Sequence, residues 1–189
     1  MTSAVFKIPF IRQAYSWVGG DAVDKHTFRK KLANKKSFVF CPGGVQEVLS
    51  MDTSSKNPDD IILFLQKRKG FVKMALEYGS PIVPVFTFNL DGSFGYVLPR
   101  GKFVASVARM IGFLPLFFWG RFYIPLGIPF PQQITAVFGK PIDVPKLDAS
   151  EISSDTVDKY HAMFIDEMKA LFERHKADNG YGHRKLLIL

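Results

Sequence analysis

Residues 61–89 read IILFLQKRKGFVKMALEYGSPIVPVFTFN, and this stretch changes its hydrophobic period twice. The apolar run at 61–65 is short enough for a strand, and the run at 81–89 carries two prolines, which suit a strand start or a sheet edge. Between the two runs, apolar residues recur at helical spacing before Gly79, a residue type common just after a helix. These residues are Phe71, Met74, Ala75 and Tyr78. Strand, helix and strand in succession predict an α/β fold with a mostly parallel sheet flanked by helices.

The other periodic stretches predict three further helices and two further strands. Helical patterns occupy 4–18, 24–32 and 156–176, and the last of these has a continuous apolar face. That face consists of Val157, Tyr160, Phe164, Met168, Leu171 and His175. Apolar runs at 37–41 and 134–144 predict strands, the first of them buried. All 189 residues together fit a single domain.

The composition is strongly basic, with a net charge of +8 and a pI of about 9.6. This balance suits anionic partners, namely nucleic acid, anionic lipid or a phosphate-bearing cofactor. The sequence has no RNA-binding motif, zinc-ligand spacing or long Lys/Arg block, so nucleic acid is not expected as a partner. The 19 phenylalanines leave two interpretations open, a Phe-rich core or aromatic rings that meet lipid.

Cysteine and histidine give little sign of metal or nucleophilic chemistry. The single cysteine, Cys41, excludes an internal disulfide and is interpreted as a buried structural thiol. None of the four histidines has a metal-binding or catalytic spacing, so no metal site is predicted. Lys7 and Arg12 interrupt the apolar N-terminal stretch, which is unlike a signal peptide. No window of about 18 uninterrupted apolar residues predicts a simple spanning helix.

The stretch FVFCPGGVQE, residues 38–47, joins a run of β-formers to a bare turn. Gly43 and Gly44 can adopt positive φ and leave backbone N–H groups exposed, and a following helix start would add further donors. With Glu47 placed to fix the loop or a ligand hydroxyl, the turn predicts a site for an anion or an oxyanion. A plain strand-to-helix turn is the alternative.

The stretch KRKGFVK, residues 67–73, gathers cations at a predicted helix start. The cations are Lys67, Arg68, Lys69 and Lys73, and Gly70 begins the helix. Side-chain cations at the positive end of a helix form an arrangement suited to phosphates. The alternative is a solvated basic face.

Residues 110–131, MIGFLPLFFWGRFYIPLGIPFP, are almost wholly apolar, yet four prolines forbid one long helix. Such an irregular apolar segment suits the membrane interface or the wall of an apolar pocket, with a Phe-rich core loop as the alternative. The residues expected to contact lipid are Phe117, Phe118, Trp119 and Tyr123.

Four blocks of the sequence together resemble the diacylglycerol acyltransferase type 2 family, which includes monoacylglycerol and wax-ester relatives. The blocks are FVFCPGGVQEVL (38–49), RKGFVKMALEYGSPIVPVFTF (68–88), VFGKPIDVPKL (137–147) and DKYHAMFIDEMKALFERHK (158–176). The resemblance implies a glycerolipid-acyltransferase-like fold. It also implies an acyl-CoA-dependent O-acyltransferase of neutral lipid synthesis, which converts acyl-CoA and diacylglycerol to triacylglycerol and CoA.

Further expectations follow from this resemblance. The turn at Pro42, Gly43 and Gly44, with Glu47, would line the acyl-transfer and acceptor site, and the cations at 67–73 would bind the phosphates of acyl-CoA. Acyl-CoA would act as co-substrate, with no separate cofactor, and diacylglycerol or a related neutral lipid would be the second partner. The implied location is the cytosolic face of the endoplasmic reticulum membrane or a lipid droplet.

The sequence departs from the family in one respect, because the family's H-P-H-G motif with its proposed catalytic histidine is absent. The domain is therefore expected to be incomplete at its N-terminus, and the chain to be a truncated or inactive form. The alternative function is a non-catalytic protein that binds lipid or acyl-CoA at a membrane surface.

Overall fold

The computed structural model of the chain describes residues 11–17, 19–22, 24–42, 59–97, 117–123 and 128–189. Within these ranges, helices and short strands follow one another in a mixed α/β order. The helices are α1 (Ile11–Trp17), α2 (Lys25–Ala33), α3 (Gly70–Tyr78) and α4 (Ser154–His175). The strands are β1 (Ile61–Leu63), β2 (Val85–Phe88), β3 (Gly95–Val97), β4 (Phe117–Trp119), β5 (Thr135–Phe138) and β6 (Leu186–Ile188).

The strands form pairs, and the expectation of a mostly parallel sheet is wrong for the described residues. β1 pairs with β6 in parallel, whereas β2 pairs with β5 and β3 pairs with β4 in antiparallel fashion. The order β1, α3, β2 does occur along the chain, but β1 takes its neighbour from the far end of the sequence. Periodicity identifies a strand without identifying its partner, because pairing depends on contacts distant in sequence.

Two helices confirm the predictions closely. α3 ends at Gly79, which adopts the left-handed conformation with φ of 62°, and the next residue donates its N–H to the carbonyl of Ala75 at 3.0 Å. α4 begins after Ser153, whose hydroxyl accepts from the Thr156 N–H at 3.1 Å and satisfies a donor of the first turn. The described part of the first predicted helix, 4–18, is α1, and residues 4–10 lie outside the described ranges.

The core lies between α3, α4 and the β2–β5 pair. On the predicted apolar face of α4, Tyr160 and His175 are half-buried and the other four residues are buried. Two further α4 residues are buried, His161 and Phe172. Aromatic rings dominate the packing, so the described residues include a Phe-rich core. The rings in contact are those of Phe28, Phe38, Phe40, Phe71, Phe86, Phe88, Phe164, Phe172 and Tyr181.

The predicted buried strand at 37–41 is wrong, because residues 36–42 belong to no strand. Phe38 and Phe40 turn inward, with ring centroids 4.7 and 5.0 Å from that of Phe28 on α2. Val39 and Cys41 are exposed, and Cys41 is a free thiol. The expectation of a buried structural thiol is therefore also wrong, since the segment lies across α2 with one side toward solvent.

Candidate functional site

The loop that leads into α3 carries the four cations predicted as a phosphate-binding group. We call Lys67, Arg68, Lys69 and Lys73 the basic cluster, and all four are exposed. Lys69 occupies the N-cap position with helical φ and ψ and makes no side-chain capping hydrogen bond. A methyl group added at Gly70 would meet no atom within 4 Å, so the space beside the helix start is open. The first N–H groups of α3 have no acceptor within the helix, and three of the four cations directly precede this turn.

Hydrogen bonds hold the backbone of this loop from two sides. The buried ring of His161 on α4 lies with Nε2 at 3.0 Å from the carbonyl oxygen of Leu65. On the other side, the Gln66 side-chain amide donates to the carbonyl of Ile188 at 3.1 Å, and its backbone N–H donates to the carbonyl of Leu189 at 3.0 Å. These three hydrogen bonds involve Leu65 and Gln66, the two residues immediately before the basic cluster, so they fix its position relative to α4 and β6.

The ring of His161 serves as a structural donor. Burial lowers the pKa of His161 below its ordinary value, and nearby Lys69 acts in the same direction. Because a carbonyl oxygen can only accept, Nε2 carries the proton in the bond to Leu65. A nitrogen engaged in this way is not positioned to take a proton from a substrate.

One of the predicted cations, Lys69, forms an ion pair with a carboxylate of α4. The Nζ of Lys69 lies 2.6 Å from Oδ1 of Asp158 at the start of α4, and both side chains are about half exposed. Exposed pairs of this kind contribute about 0–1 kcal/mol, so an incoming polyanion can compete with Asp158 for the ammonium group. No local pattern predicts this pair, because the two residues are 89 positions apart in the sequence.

The segment that leads to the predicted acyl-transfer turn passes beside the basic cluster. The ring of Phe40 lies 5.6 Å from that of Phe71, the second residue of α3. Pro42 is half-buried at the end of the described segment, while Gly43, Gly44 and Glu47 lie outside the described residues. The fold therefore brings together two sequence blocks, FVFCP and KRKGF, that were identified separately.

The described part of the apolar segment, 117–123 and 128–131, contains strand β4, which pairs with β3, and a strained turn. Trp119 is half-buried, and its indole lies so close to Gly95 that an added methyl group would approach Nε1 to 2.6 Å. Phe122 and Tyr123 have φ of 64° and 56°, and their surfaces are 71% and 80% exposed. Phe117 and Phe118 lie in β4, where the structure describes their backbone but not their side chains. Among the described residues, no helix is both long and apolar enough to cross a bilayer.

A polar network that the sequence analysis missed lies at the end of β2. The Tyr181 hydroxyl donates to Oδ1 of Asp91 at 2.8 Å and accepts from the Asn89 N–H at 3.0 Å. Arg184 donates to Oδ2 of Asp91 at 2.7 Å and lies over the Tyr181 ring. Partial burial acts against ionisation of Asp91, but the hydrogen bonds from Arg184 and Tyr181 outweigh it and lower the pKa of this carboxyl. The network anchors the chain just before β6, whose end contacts the loop of the basic cluster.

The part of the chain that the structure describes contains no cluster of metal-ligating side chains. No three His, Cys, Asp or Glu side chains there lie close enough to hold an ion. At the surface, His183 Nε2 lies 3.9 Å from Asp59 Oδ1.

Comparison with known proteins agrees with the resemblance of the four blocks. The protein-family model described as "Diacylglycerol acyltransferase" matches residues 1–189. The chain is 32% identical to human acyl-CoA wax alcohol acyltransferase 1, covering 97% of this chain and 57% of that protein. It is 32% identical to diacylglycerol O-acyltransferase 2 of Dictyostelium discoideum, covering 96% of this chain and 57% of the relative. For the Danio rerio protein of the same name, identity is 31%, and coverage is 97% of this chain and 52% of the relative.

The chain thus spans about half the length of these relatives. No solved structure matches it, so the expected glycerolipid-acyltransferase-like fold stays a prediction. The match of the family model over the whole chain leads to one assignment. The chain belongs to the diacylglycerol acyltransferase family.

Proposed function

We propose that this chain forms part of an acyl-CoA-dependent O-acyltransferase of neutral lipid synthesis. In the proposed reaction, the hydroxyl oxygen of diacylglycerol or a related acceptor attacks the thioester carbonyl of acyl-CoA. The carbon–sulfur bond breaks, an ester forms, and the hydroxyl proton passes to the CoA sulfur. The observation that carries the proposal is the exposed basic cluster at the open start of α3, next to the segment that leads to Pro42.

The basic cluster would hold the phosphates of the acyl donor. CoA carries a diphosphate and a 3′-phosphate, so it offers several charges to side-chain cations and to the first N–H groups of a helix. The fixed backbone before Lys67 keeps the cations together before the ligand arrives, which reduces the entropy lost on binding. Gly43 and Gly44 would supply donors to the oxygen that gains charge in the transition state.

Replacing Arg68 and Lys69 together by alanine is expected to weaken acyl-CoA binding by about 30- to 100-fold at low salt. Each change removes a charge-assisted contact with phosphate, and the remaining binding should depend less on ionic strength. Isothermal titration with a long-chain acyl-CoA below its micelle concentration measures both effects. The control is Lys146→Ala with Lys169→Ala, two exposed lysines whose loss changes the net charge equally. Unchanged affinity in the Arg68/Lys69 variant would assign the basic cluster to a solvated surface.

Adding diacylglycerol to the same mixture distinguishes acyl transfer from binding without catalysis. When diacylglycerol is also present, transfer consumes the thioester and releases CoA thiol, whereas a non-catalytic protein leaves the thioester intact. Release of thiol at the rate of a boiled control would favour the binding protein over the acyltransferase.

We further propose that the turn at 120–123 contacts the membrane surface that holds the acceptor lipid. Bulky residues rarely adopt positive φ. Each such position costs about 1–3 kcal/mol, and strained positions of this kind cluster at functional sites. At Phe122 and Tyr123 this backbone holds two aromatic rings in solvent, with Arg121 beside them. Aromatic rings beside a cation suit the headgroup region of a bilayer.

Replacing Phe122 and Tyr123 by serine is expected to lower the liposome partition coefficient of the chain about tenfold or more, because two apolar rings no longer leave water. Flotation with neutral and anionic liposomes measures this coefficient. Trp17→Ser is the control, since Trp17 on α1 is also exposed but lies far from this turn in sequence. Equal flotation of the double variant and the wild type would refute the contact at this turn.

A further inference from the structure

The exposed face of α2 and the turn after it carry cations without acidic partners. In the described part of the chain, no carboxylate pairs with Lys25, Lys30, Lys35 or Lys36, and all four are exposed. The other two cations nearby are paired, Arg29 with Glu77 and Lys31 with Asp21. The unpaired charges are therefore carried by α2 and the residues that follow it, and we call these four lysines together the α2 surface.

The fold holds the α2 surface outward. Phe28 on α2 is buried and packs against the rings of Phe38 and Phe40. The helix begins at a well-formed cap, where Asp24 Oδ1 accepts from the Thr27 N–H at 2.8 Å. Because the apolar face is fixed by these contacts, α2 cannot rotate to bury its lysines.

The α2 surface adjoins the basic cluster. Arg29 reaches Glu77 on α3 with Nη2 to Oε2 at 3.1 Å. Glu77 lies one turn after Lys73, so the same face of α3 carries both residues. The ring contact of Phe40 with Phe71 brings the segment after α2 to the start of α3. The α2 lysines thus lie on an element that packs directly against α3, the helix whose first turn carries the basic cluster.

We propose that the α2 surface steers a polyanionic ligand, a nucleotide thioester that carries several phosphates, toward the basic cluster. This inference rests on the proposed function, because it takes the basic cluster as the place where the phosphates bind. Charges that attract a ligand from a distance speed its arrival, and charges that do not touch the bound ligand leave its departure unchanged. At low ionic strength the attraction extends about 30 Å, so the lysines can act without contact.

The test measures association and dissociation rates separately. Stopped-flow fluorescence would use a CoA derivative that carries a fluorophore on its thiol, and a variant in which Lys25, Lys30, Lys35 and Lys36 are all glutamine. The matched control replaces four other exposed lysines by glutamine, Lys140, Lys146, Lys169 and Lys185. Each variant removes four positive charges, so the net charge of both falls from +8 to +4. A smaller variant with Lys35→Gln and Lys36→Gln leaves α2 itself unaltered.

We expect the association rate of the α2 variant to fall about three- to tenfold at low salt, with its dissociation rate unchanged and the difference removed at high salt. The association rate of the smaller variant should fall by an intermediate factor, and that of the control variant should fall much less. Equal slowing of the control would attribute the effect to net charge and overturn the proposal. A faster dissociation of the α2 variant would overturn it as well, by making the α2 surface a contact site. If the wild type binds CoA and all rates agree, this proposal alone fails, whereas a wild type that does not bind CoA refutes the proposed function too.

Discussion

Replacing Phe172 by alanine is expected to lower the free energy of unfolding by about 3–5 kcal/mol, the usual cost of removing a large buried ring. Phe172 on α4 is 0% exposed. Its ring stacks on that of Phe88 with centroids 5.8 Å apart and meets Phe86 edge-on at 5.2 Å. Both partners belong to β2, so the substitution leaves a cavity where α4 packs against the β2–β5 pair, and a close-packed interior cannot collapse to fill it completely.

Urea unfolding followed by circular dichroism measures this loss. Phe138→Ala is the matched control, because it removes the same ring from β5, where the side chain is 68% exposed. We expect the control to change the free energy of unfolding by less than about 1 kcal/mol. Similar losses in the two variants would mean that Phe172 does not join α4 to the sheet.

Replacing Gly79 by alanine is expected to cost about 2–4 kcal/mol, through two separate effects. The first is backbone strain, because Gly79 has φ of 62° at the end of α3. The second is a collision, because an added methyl group would lie 2.8 Å from Cβ of Lys146 and 3.2 Å from its Cα and N. Real side chains almost never approach so closely, and backbone atoms cannot move aside as a flexible side chain can.

Gly180→Ala separates the two effects. Gly180 also has positive φ, at 79°, but no atom lies within 4 Å of the position that a methyl group would occupy. Alanine there should cost about 1–2 kcal/mol, which is the strain alone. The difference between the two variants, measured by urea unfolding, gives the cost of the contact with Lys146. Equal costs would show that the segment at Lys146 yields freely, and that α3 is not tightly packed against it.

The chain that follows α4 connects the stability of the core to the candidate site. Tyr181 and Arg184 fix this segment through Asp91, and β6 then pairs in parallel with β1. The end of the segment accepts hydrogen bonds from Gln66, directly before the basic cluster. The position of the proposed phosphate-binding cations therefore depends on contacts with residues more than 100 positions away in sequence.

Local features of the fold and of the site could be predicted from the sequence. The helical period and terminal glycine of 70–79, the long amphipathic helix near 154–175 and the strands near 85–88 and 135–138 agree with the structure. These features depend on neighbouring residues, because periodicity, capping and turn chemistry act over a few positions. The four blocks that resemble the acyltransferase family are equally local, and the family match over 1–189 confirms their assignment.

Tertiary structure alone decided which elements meet. The sequence predicted a strand at 61–65, but its parallel partner is β6, and the predicted strand at 37–41 instead lies across α2 without strand pairing. The pairing of Lys69 with Asp158 and the contact of Phe40 with Phe71 likewise join residues far apart in the chain. Strand partners and ion pairs are selected by the total free energy of packing. Many distant contacts contribute to that energy at once, so no short pattern in the sequence encodes the choice.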